Sequence, residues 1–371
     1  MVDLDILVIG GGIGGLTSAI ALRARNHTVT VIERDPTWSV YGVGIIQQSN
    51  ALRAARDLGI LDGYLAAGVG FDAVEIFAPN GVKVARVPGH PVAKGLPANL
   101  GIGRRALHAL LGNTAKAAGA HIRLGVTAHT IADDGTGVDV AFSDGSHGRF
   151  DLVIGADGVY SATRAMILPE AEKPTFTGQS VWRYNFPRAA DLDALQVYNG
   201  STGVGLVPIS RELMYMFVTT PEPDNPYYPT AGIAAVMRDK LAGTSPAIRA
   251  LAEQITDDAE VVYRPLEGML VSGPWHSGRA VLLGDAVHAT TPHLGQGAGM
   301  AIEDSIVLAE EISAAATVDD AFTAYRARRF DRCKFIVEQS LAIGQGQIGK
   351  GPPVDNAIAT AEMFAVVSQP I

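Results

Sequence analysis

The pattern that most constrains the fold lies near the start of the chain, where a short apolar run leads into a glycine-rich turn. Leu4 to Ile9 is almost wholly apolar, as a buried parallel strand must be. Gly10, Gly12 and Gly15 follow with the spacing G-x-G-x-x-G. Leu16 to Arg25 then carries apolar residues at helical spacing. In such a turn the first glycine permits the tight bend, the second lets a pyrophosphate approach the backbone, and the third lets helix and strand pack closely.

A second apolar run and an acid complete the pattern. Thr28 to Ile32 reads as a strand that ends at Glu33, where a ribose-binding carboxylate belongs. Strand, turn, helix, strand and acid in this order predict that the segment binds a dinucleotide, with the phosphates on the helix N-terminus. The stretch leaves open which dinucleotide it is. Arg34 is compatible with a 2'-phosphate partner, but a charged residue at a strand end is more often a solvated one.

Composition excludes several classes of protein. A chain of 371 residues with 47% hydrophobic and 18% charged residues fits two or three compact domains rather than disorder or a coiled coil. The net charge is -9 and the longest basic run is Arg326 to Arg332, which argues against nucleic acid or an anionic membrane as partner. The single cysteine, Cys333, excludes an internal disulfide, a dithiol redox pair and a multi-cysteine metal site, and we expect no metal.

The sequence also carries no targeting signal that we can identify. It opens with a core strand, without a charged segment and cleavage site, and has no apolar run of about 18 residues that could span a membrane. We therefore expect a cytoplasmic protein, as a monomer or homodimer, with no membrane or nucleic-acid partner.

Hydrophobic periodicity gives a coarse order of elements in the first two thirds of the chain. We expect a turn at Gly42 to Ile46, followed by a helix that ends near Gly59. From Thr175 to about Arg264, strands rich in Val, Tyr, Trp, Phe and Met alternate with Pro-rich turns, and one helix runs from about Ala231 to Leu241. This segment predicts an antiparallel sheet domain inserted into the nucleotide-binding one.

The parallel pattern returns after the insertion. Ala280 to Leu283 predicts a buried strand, and helices are expected from near Gly297 to about Ser313 and from Asp320 to Ile343. Gly344 to Pro353 is glycine-rich without a preceding strand, which indicates a linker. The predicted fold class is α/β, a Rossmann-like domain with an inserted antiparallel β-sheet substrate domain and C-terminal helices. The predicted domains are residues 1–72, 98–174 and 265–345 for the nucleotide-binding domain, 73–97 and 175–264 for the substrate domain, and 346–371 for the tail.

Three strand ends carry a glycine together with an acid, and these blocks resemble a known family. They are Gly10 to Glu33, the segment Gly155 to Arg164 with Asp157-Gly158, and the segment Leu283 to Pro292 with Gly284-Asp285, which continues through Gly295-Gln296-Gly297 to Asp304. In this order they resemble the single-component (group A) FAD-dependent aromatic hydroxylases, built like para-hydroxybenzoate hydroxylase. The matching blocks extend from residue 6 to about residue 330.

The resemblance implies a set of FAD-binding positions. Glu33 would hold the adenosine ribose, Arg104 in the Arg104-x-x-Leu107 pattern would contact the cofactor, and Asp285 would bind the ribityl chain. The segment Pro292 to Gly299 would run along the isoalloxazine. The complete implied set is Gly10, Gly12, Ile13, Gly14, Gly15, Glu33, Arg34, Gly44, Arg104, Asp157, Gly158, Arg164, Asp285, Pro292, Gly295, Gln296, Gly297 and Ala298.

The resemblance also implies the chemistry. In the family, NAD(P)H reduces the flavin, and the reduced flavin reacts with O2 to give a C4a-hydroperoxide that transfers oxygen to an aromatic ring. Asp157 to Arg164 is associated in the family with both FAD and NAD(P)H, and no second G-x-G-x-x-G appears for a separate nicotinamide domain. The expected function is hydroxylation of an aromatic or heteroaromatic small molecule.

Three residues are the candidate catalytic set, Arg183, Tyr215 and His293. Arg183 sits in Val181-Trp182-Arg183-Tyr184, where many family members have an aromatic-arginine pair, and an arginine among apolar strand residues needs an anionic partner. It could touch substrate or flavin, or form a structural ion pair. Tyr215 and Phe217 alternate with Met214 and Met216, and periodicity leaves open which pair lines the pocket. His293 flanks the flavin loop, where it could be a base or a structural hydrogen-bonding group.

Other readings remain open at this point. One is a relative that performs epoxidation or Baeyer-Villiger oxidation on a polyketide or terpenoid. Others are a flavin-binding protein without turnover and an NAD-dependent dehydrogenase. Gln47 and Gln48 stand where the family often has a proline before Asn50, and this departure leaves the turn beside the flavin ring unsettled.

Overall fold

A computed structural model describes residues 3–200 and 202–371 of the chain. Residues 1, 2 and 201, which the predicted domain limits include, lie outside the described residues. The strands are β1 Asp5–Ile9, β2 Thr28–Glu33, β3 Gly44–Gln48, β4 Gly68–Phe71, β5 Ala73–Phe77, β6 Lys83–Pro88, β7 Asn99–Gly103, β8 His121–Leu124, β9 Ala128–Asp133, β10 Val138–Phe142, β11 His147–Phe150, β12 Leu152–Gly155, β13 Thr175–Pro187, β14 Leu195–Tyr198, β15 Gly203–Pro208, β16 Leu213–Pro221, β17 Val262–Gly268, β18 His276–Ser277 and β19 Ala280–Leu282. The helices are α1 Ile13–Arg23, α2 Ser49–Asp57, α3 Leu61–Ala67, α4 Arg104–Ala117, α5 Ala162–Ile167, α6 Ile233–Leu241, α7 Pro246–Ala252, α8 Asp285–His288, α9 Gly297–Ala314, α10 Val318–Gln347 and α11 Asn356–Val367.

A six-stranded sheet with the order β18-β19-β12-β1-β2-β8 forms the centre of the nucleotide-binding part. β1 pairs in parallel with β2 and β12, and β12 pairs in parallel with β19. Alternate residues of β1 serve two cores: Ile6 and Val8 pack with α1 and α9, while Leu7 and Ile9 pack with the small sheet of β9, β10 and β11. This explains why the strand is apolar on both faces.

The three sequence motifs meet at one edge of this sheet. β1, β12 and β19 are adjacent and parallel, so their carboxyl ends lie side by side. The turn at Gly10 follows β1, Asp157-Gly158 follows β12, and Gly284-Asp285 follows β19. The predicted α/β fold is confirmed in this respect, because topology brings distant turns to one place.

The second large sheet has seven strands in the order β17-β13-β16-β15-β14-β5-β6. Its β13 and β16 are antiparallel, with Arg183 opposite Phe217 and Asn185 opposite Tyr215, so these four residues share one face. Trp182, Tyr184, Met214 and Met216 point to the other face, where they form a core with residues of α6 and α7. The face that carries Arg183 turns toward the nucleotide-binding part, since Asn185 Nδ2 donates to the Gly42 carbonyl at 2.8 Å.

The prediction of a turn at Gly42 to Ile46 is wrong from Gly44 onward. Gly44–Gln48 is strand β3, which pairs with β7 in a three-stranded sheet with β4. Gly44 suggested a turn, but a Cβ at this position would lie 2.2 Å from the Tyr215 ring. The glycine therefore makes room for a neighbouring side chain and does not bend the chain.

Two helical predictions also need correction. The inserted domain contains α7 in addition to α6, and Ser245 caps α7 with Pro246 at its first position. The predicted linker at Gly344 to Pro353 begins inside α10, which continues to Gln347. A Cβ on Gly344 would lie 2.8 Å from His293 Cε1, so this glycine permits close packing within the helix. The predicted domain limits stay a prediction.

No helix in the described part of the chain is long and apolar enough to cross a membrane.

Candidate active site

The glycine-rich turn after β1 leaves no room for side chains at two positions. Gly10 has φ +111°, and a Cβ there would lie 2.4 Å from the carbonyl oxygen of Ala156. A Cβ on Gly15 would lie 1.9 Å from the carbonyl oxygen of Gly10, so glycine lets α1 pack closely on the turn. At Gly12, by contrast, a Cβ would meet no described atom within 4 Å, and the residue is exposed. This open space is where a pyrophosphate can approach the backbone.

Helix α1 begins beside this space with free amide groups. Its N-cap is Gly12, and no described side chain caps the helix or places an acid in its first turn. The first intrahelical hydrogen bond runs from the Leu16 N–H to the Gly12 carbonyl at 2.9 Å. The preceding amides, those of Ile13, Gly14 and Gly15, have no acceptor within the helix. The positive end of the helix dipole and these donors together favour a phosphate.

Glu33 ends β2 next to the turn and is hydrogen-bonded through both oxygens. Oε2 accepts from the Gly11 N–H and Oε1 from the Asp35 N–H, each at 2.8 Å. Each carboxylate oxygen retains a second lone pair, which a ribose hydroxyl can use. Arg34 is exposed, and its contact with a dinucleotide stays a prediction.

The side chains of the second motif build the turn after β12. Asp157 Oδ2 accepts from the backbone and hydroxyl of Thr163, each at 2.9 Å, and Gly158 has φ +82°. Arg164 is buried and donates to the carbonyls of Ala286 and Val159, both at 2.9 Å. Arg164 thereby ties the second motif to the residue that follows Asp285.

Asp285 lines a cleft. The residue is exposed to solvent. Even so, burial by the surrounding protein raises the pKa of Asp285, while His288 and Arg104 act to lower it. A carboxylate that is accessible but walled in by protein belongs to an internal cleft rather than to the outer surface.

Asp304 of α9 anchors the segment that carries Asp285. Its Oδ2 accepts from the Gly284 N–H at 3.0 Å and pairs with His288 Nε2 at 2.6 Å, and its Oδ1 accepts from Arg329 Nε at 2.8 Å. Burial alone would raise the pKa of Asp304, but His288 and Arg329 lower it to about 2. The ionised Asp304 carboxylate therefore fixes the backbone next to Asp285, which is the residue predicted to bind the ribityl chain.

The predicted flavin loop runs from Pro292 to the start of α9. Pro292 is exposed and Gly295 has φ +66°. Gln296, the N-cap of α9, is buried, and its Nε2 donates to Gln48 Oε1 and to Asn50 Oδ1. The side chain of Gln296 is thus occupied by protein atoms. The amides at the start of α9, those of Gly297 and Ala298, precede the intrahelical hydrogen bonds and are free for a ligand.

Two arginines, Arg104 and Arg183, lie near each other and near Tyr215. Burial lowers the pKa of Arg104, and Tyr215 and Asp285 oppose that effect. Burial and the nearby charge of Arg104 lower the pKa of Arg183 to about 10, with Tyr215 opposing and Arg264 reinforcing the decrease. Within the described ranges the guanidinium of Arg183 has no hydrogen-bond or ion-pair partner. Asp285 thus acts on Arg104, whereas no carboxylate among the described residues acts on Arg183.

An apolar wall stands beside the arginines. Phe71, Val207, Ile209 and Tyr215 form a buried cluster. Ile46, Leu195 and Phe217 pack against this cluster. Of the two pairs that periodicity could not separate, Tyr215 and Phe217 therefore face this site. Their neighbours Met214 and Met216 belong to the core on the opposite face.

The imidazole of His293 is held by two polar side chains. Its Nδ1 is 2.9 Å from Thr291 Oγ1 and its Nε2 is 3.2 Å from Gln347 Oε1. Burial lowers the pKa of His293 to about 4, although the bond to Gln347 opposes this. The imidazole is neutral at pH 7 and links the flavin loop to α10.

Sequence reasoning missed several residues that shape the site. Trp38 Nε1 and His108 Nε2 both contact the Gly11 carbonyl at 2.9 Å, and Gln48 Nε2 donates to the Leu294 carbonyl at 3.1 Å. Only Gln48 gave a signal in the sequence, as the departure from the family's proline. Trp38 and His108 meet the turn through tertiary structure alone.

These residues fit a dinucleotide such as FAD. The open space before Gly12, the uncapped starts of α1 and α9, and the accessible Asp285 lie along the edge of one sheet. Arg183 and Tyr215 share one face of the seven-stranded sheet.

The known proteins that this chain resembles are FAD-binding proteins and monooxygenases. A sequence profile described as "FAD binding domain" matches residues 3–340. Aurachin C monooxygenase/isomerase of Stigmatella aurantiaca is 32% identical over 351 residues, which cover 92% of this chain and 89% of that protein. The 6-hydroxynicotinate 3-monooxygenase of Bordetella bronchiseptica is 32% identical, covering 88% of each chain. The crystal structure of Klebsiella pneumoniae HpxO complexed with FAD and uric acid superposes with a TM-score of 0.85 at 25% identity, covering 98% of this chain and 92% of that one.

Proposed function

Because the chain belongs to the family of FAD-dependent aromatic hydroxylases that carry this FAD binding domain and is an FAD-dependent monooxygenase, we propose that it uses NAD(P)H and O2 to hydroxylate a small molecule. The proposed substrate is an aromatic or heteroaromatic compound with a negative charge. The observation that carries the proposal is Arg183, a guanidinium with no counter-charge among the described residues. A cation that the protein partly removes from water needs such a charge, and the substrate can supply it.

FAD, when bound, supplies the electron transfer and the activation of dioxygen. The chain's own residues hold it in place. We assign the pyrophosphate to the turn at Gly10 and Gly12, the adenosine ribose to Glu33 and the ribityl chain to Asp285. The free amides at the start of α9 would stabilise negative charge on the pyrimidine edge of the flavin. The remaining predicted FAD-binding residues stay part of this proposal.

Arg183 would orient the substrate through its charge. A hydrogen bond to a charged group contributes roughly 1.5 to 3 kcal/mol, which is enough to select an anion over a neutral ring of the same shape. Two similar proteins are named for, or bound to, heteroaromatic compounds with acidic groups, 6-hydroxynicotinate and uric acid, which supports this substrate class.

Tyr215 would act as a neutral hydrogen-bond donor beside Arg183. Burial raises the pKa of Tyr215, and the nearby Arg183 and Arg104 only partly oppose that increase. The phenol therefore keeps its proton at neutral pH. It can donate a hydrogen bond to a ring hydroxyl or a carboxylate of the substrate. The apolar cluster of Phe71, Val207 and Ile209 would keep water away from the reacting atoms.

His293 remains a predicted catalytic residue. A base that removes a proton from a ring hydroxyl accelerates such a step by roughly 10² to 10⁴. The contacts of His293 with Thr291 and Gln347 support a role in holding the flavin loop instead. The identity of a base therefore stays open to substitution experiments.

The decisive experiment is a substrate screen with the purified flavoprotein. Aromatic acids, hydroxypyridines, purine-like rings and 4-quinolones would be compared for stimulated oxidation of NADH and NADPH, oxygen uptake and a product heavier by one oxygen atom. We expect stimulation by anionic rings, and weaker stimulation by amides of the same rings. An epoxide or lactone product would favour the alternative oxygen-insertion chemistry. Failure of every ring to stimulate NAD(P)H oxidation would overturn the proposal.

A further inference from the structure

The peptide groups of Gly11, at the tip of the phosphate-binding turn, are held by three side chains from three different elements. Its N–H donates to Glu33 Oε2 at 2.8 Å. Its carbonyl oxygen lies 2.9 Å from Trp38 Nε1 and 2.9 Å from His108 Nε2. A carbonyl oxygen has two lone pairs, and here both have a partner. The flexible centre of a glycine-rich turn is therefore fixed on both sides.

The backbone of Trp38 adopts a conformation that is unusual for its residue type. Its φ is +53°, in the left-handed region that costs a residue with a Cβ about 1 to 2 kcal/mol. Asp35 holds this conformation by accepting hydrogen bonds from the backbone and hydroxyl groups of Thr37 and Ser39, and these bonds lower the pKa of Asp35 well below its usual range. Strain of this kind persists where the surrounding structure enforces it, and it is concentrated at functional sites.

Helix α4 supplies the other half of the arrangement. The rings of Trp38 and His108 meet edge to face with centroids 4.8 Å apart, and Lys116 Nζ lies 5.1 Å from the centre of the Trp38 ring. A Cβ on Gly112 would lie 3.0 Å from the indole, so this glycine makes room for it. Because the Gly11 carbonyl can only accept, His108 must carry its proton on Nε2. The loop that carries Trp38, helix α4 and the turn at Gly11 therefore contact one another directly.

We propose that Trp38 and His108 are positioning residues for FAD. By occupying the Gly11 carbonyl, they prevent its negative end from facing the pyrophosphate. Together with the Glu33 bond to the Gly11 N–H, they keep the amides that begin at Gly12 directed into the open space. The turn is then organised before the cofactor arrives, and preorganisation of this kind improves affinity by reducing the entropy lost on binding.

The test measures FAD affinity in substituted holoenzymes. Trp38→Phe retains most of the ring but loses the donor, and we expect FAD to bind about 5-fold more weakly, the value of one neutral hydrogen bond. His108→Phe should have a similar effect, and His108→Gln, which keeps an N–H donor, should recover most of the affinity. The double variant Trp38→Phe/His108→Phe should lose more than the product of the single effects, because the buried carbonyl is then left without a partner. Release of FAD on dilution, followed by flavin fluorescence, gives the dissociation constants.

A matched control separates positioning from stability. Trp182 is fully buried and donates to Thr220 Oγ1 at 2.9 Å, but it lies on the far face of the seven-stranded sheet. Trp182→Phe should lower the thermal midpoint and leave the FAD dissociation constant unchanged. Excess FAD should restore NAD(P)H oxidation in Trp38→Phe to the wild-type rate. The proposal fails if Trp38→Phe and His108→Phe hold FAD as tightly as the wild type, or if Trp182→Phe weakens FAD equally.

Discussion

Arg329 and Arg183 show that this chain balances the charge of its inner arginines in different ways. Arg329 is fully buried and paired, with Nη1 2.8 Å from Glu303 Oε2 and Nε 2.8 Å from Asp304 Oδ1. Arg183 is walled in as well, but no described carboxylate lies against it. Arg329 is thus neutralised by two acids while Arg183 is not, and this contrast supports the proposal that Arg183 binds an anionic ligand.

Replacing Arg183 by Gln should therefore affect substrate more than cofactor. We expect KM for an anionic substrate to rise roughly 10- to 100-fold, corresponding to the loss of one charged hydrogen bond, with FAD content unchanged. Arg211→Gln is the matched control, because Arg211 is exposed on a turn of the same sheet. Steady-state kinetics together with the flavin absorption spectrum make the measurement. Equal KM values in the two variants would identify Arg183 as structural.

The lowered pKa of Arg183 predicts a pH dependence. Its pKa is about 10, so the guanidinium is charged below that pH and loses its charge above it. KM for a substrate whose own charge is constant should therefore be flat at neutral pH and rise as pH passes 10. In Arg183→Gln the profile should stay flat through the same range. A wild-type KM that does not change up to pH 11 would contradict this assignment.

At the scale of elements, the sequence predicted correctly those strands, turns and helices that depend on residues close together in the chain. The three strand-turn-helix blocks were predicted because their glycines and acids lie close together in sequence, and the resemblance to aromatic hydroxylases that they carried is confirmed. β3 and the end of α10 were missed because their glycines leave space for side chains that are distant in sequence. Gly44 leaves space for Tyr215, and Gly344 leaves space for His293. A glycine that makes room for a tertiary contact looks in sequence like one that makes a turn.

The same limit applied to the site. The periodicity of β16 showed that Tyr215 and Phe217 share a face, but only the helices packed on Met214 and Met216 decide which face is buried in the inserted core. Trp38 reaches Gly11 through a loop whose left-handed backbone has no sequence signature.

Gln48 connects β3 to the flavin loop by two hydrogen bonds. Its Nε2 donates to the Leu294 carbonyl at 3.1 Å and its Oε1 accepts from Gln296 Nε2. In Gln48→Leu these bonds are lost, and the amides at the start of α9 would be less well oriented toward the flavin. We expect FAD to be retained and its two-electron reduction potential to fall by about 20 mV, the equivalent of about 1 kcal/mol.

Gln254→Leu is the control for this substitution, because Gln254 is exposed on the inserted domain. Potentials would be measured by titration against a reference dye. A Gln48→Leu potential equal to that of the control would mean that the loop keeps its orientation without Gln48.

At the scale of the whole molecule, helix α10 connects the seven-stranded sheet to the flavin loop through a short chain of polar side chains. Gln179 of β13 donates from Nε2 to Gln347 Oε1 at 3.2 Å, and the same oxygen lies 3.2 Å from His293 Nε2 in the flavin loop. The seven-stranded sheet, the last turn of α10 and the cofactor side of the cleft therefore meet at one amide. The neutral imidazole of His293 is therefore part of this junction.

Acidification should destabilise the protein partly through this histidine. The pKa of His293 is about 4, below the ordinary value of 6.5, so between these values the unfolded chain binds a proton that the folded protein does not. Stability from this group is complete above pH 6.5 and is lost as pH falls toward 4, by at most about 1.4 kcal/mol per pH unit. Thermal midpoints of the holoenzyme between pH 7 and 4 should therefore fall less steeply in His293→Gln than in the wild type. His129→Gln, at an exposed position, should follow the wild-type curve. Parallel curves for all three proteins would show that His293 is free to take up a proton in the folded state, and that the junction at Gln347 does not depend on its being neutral.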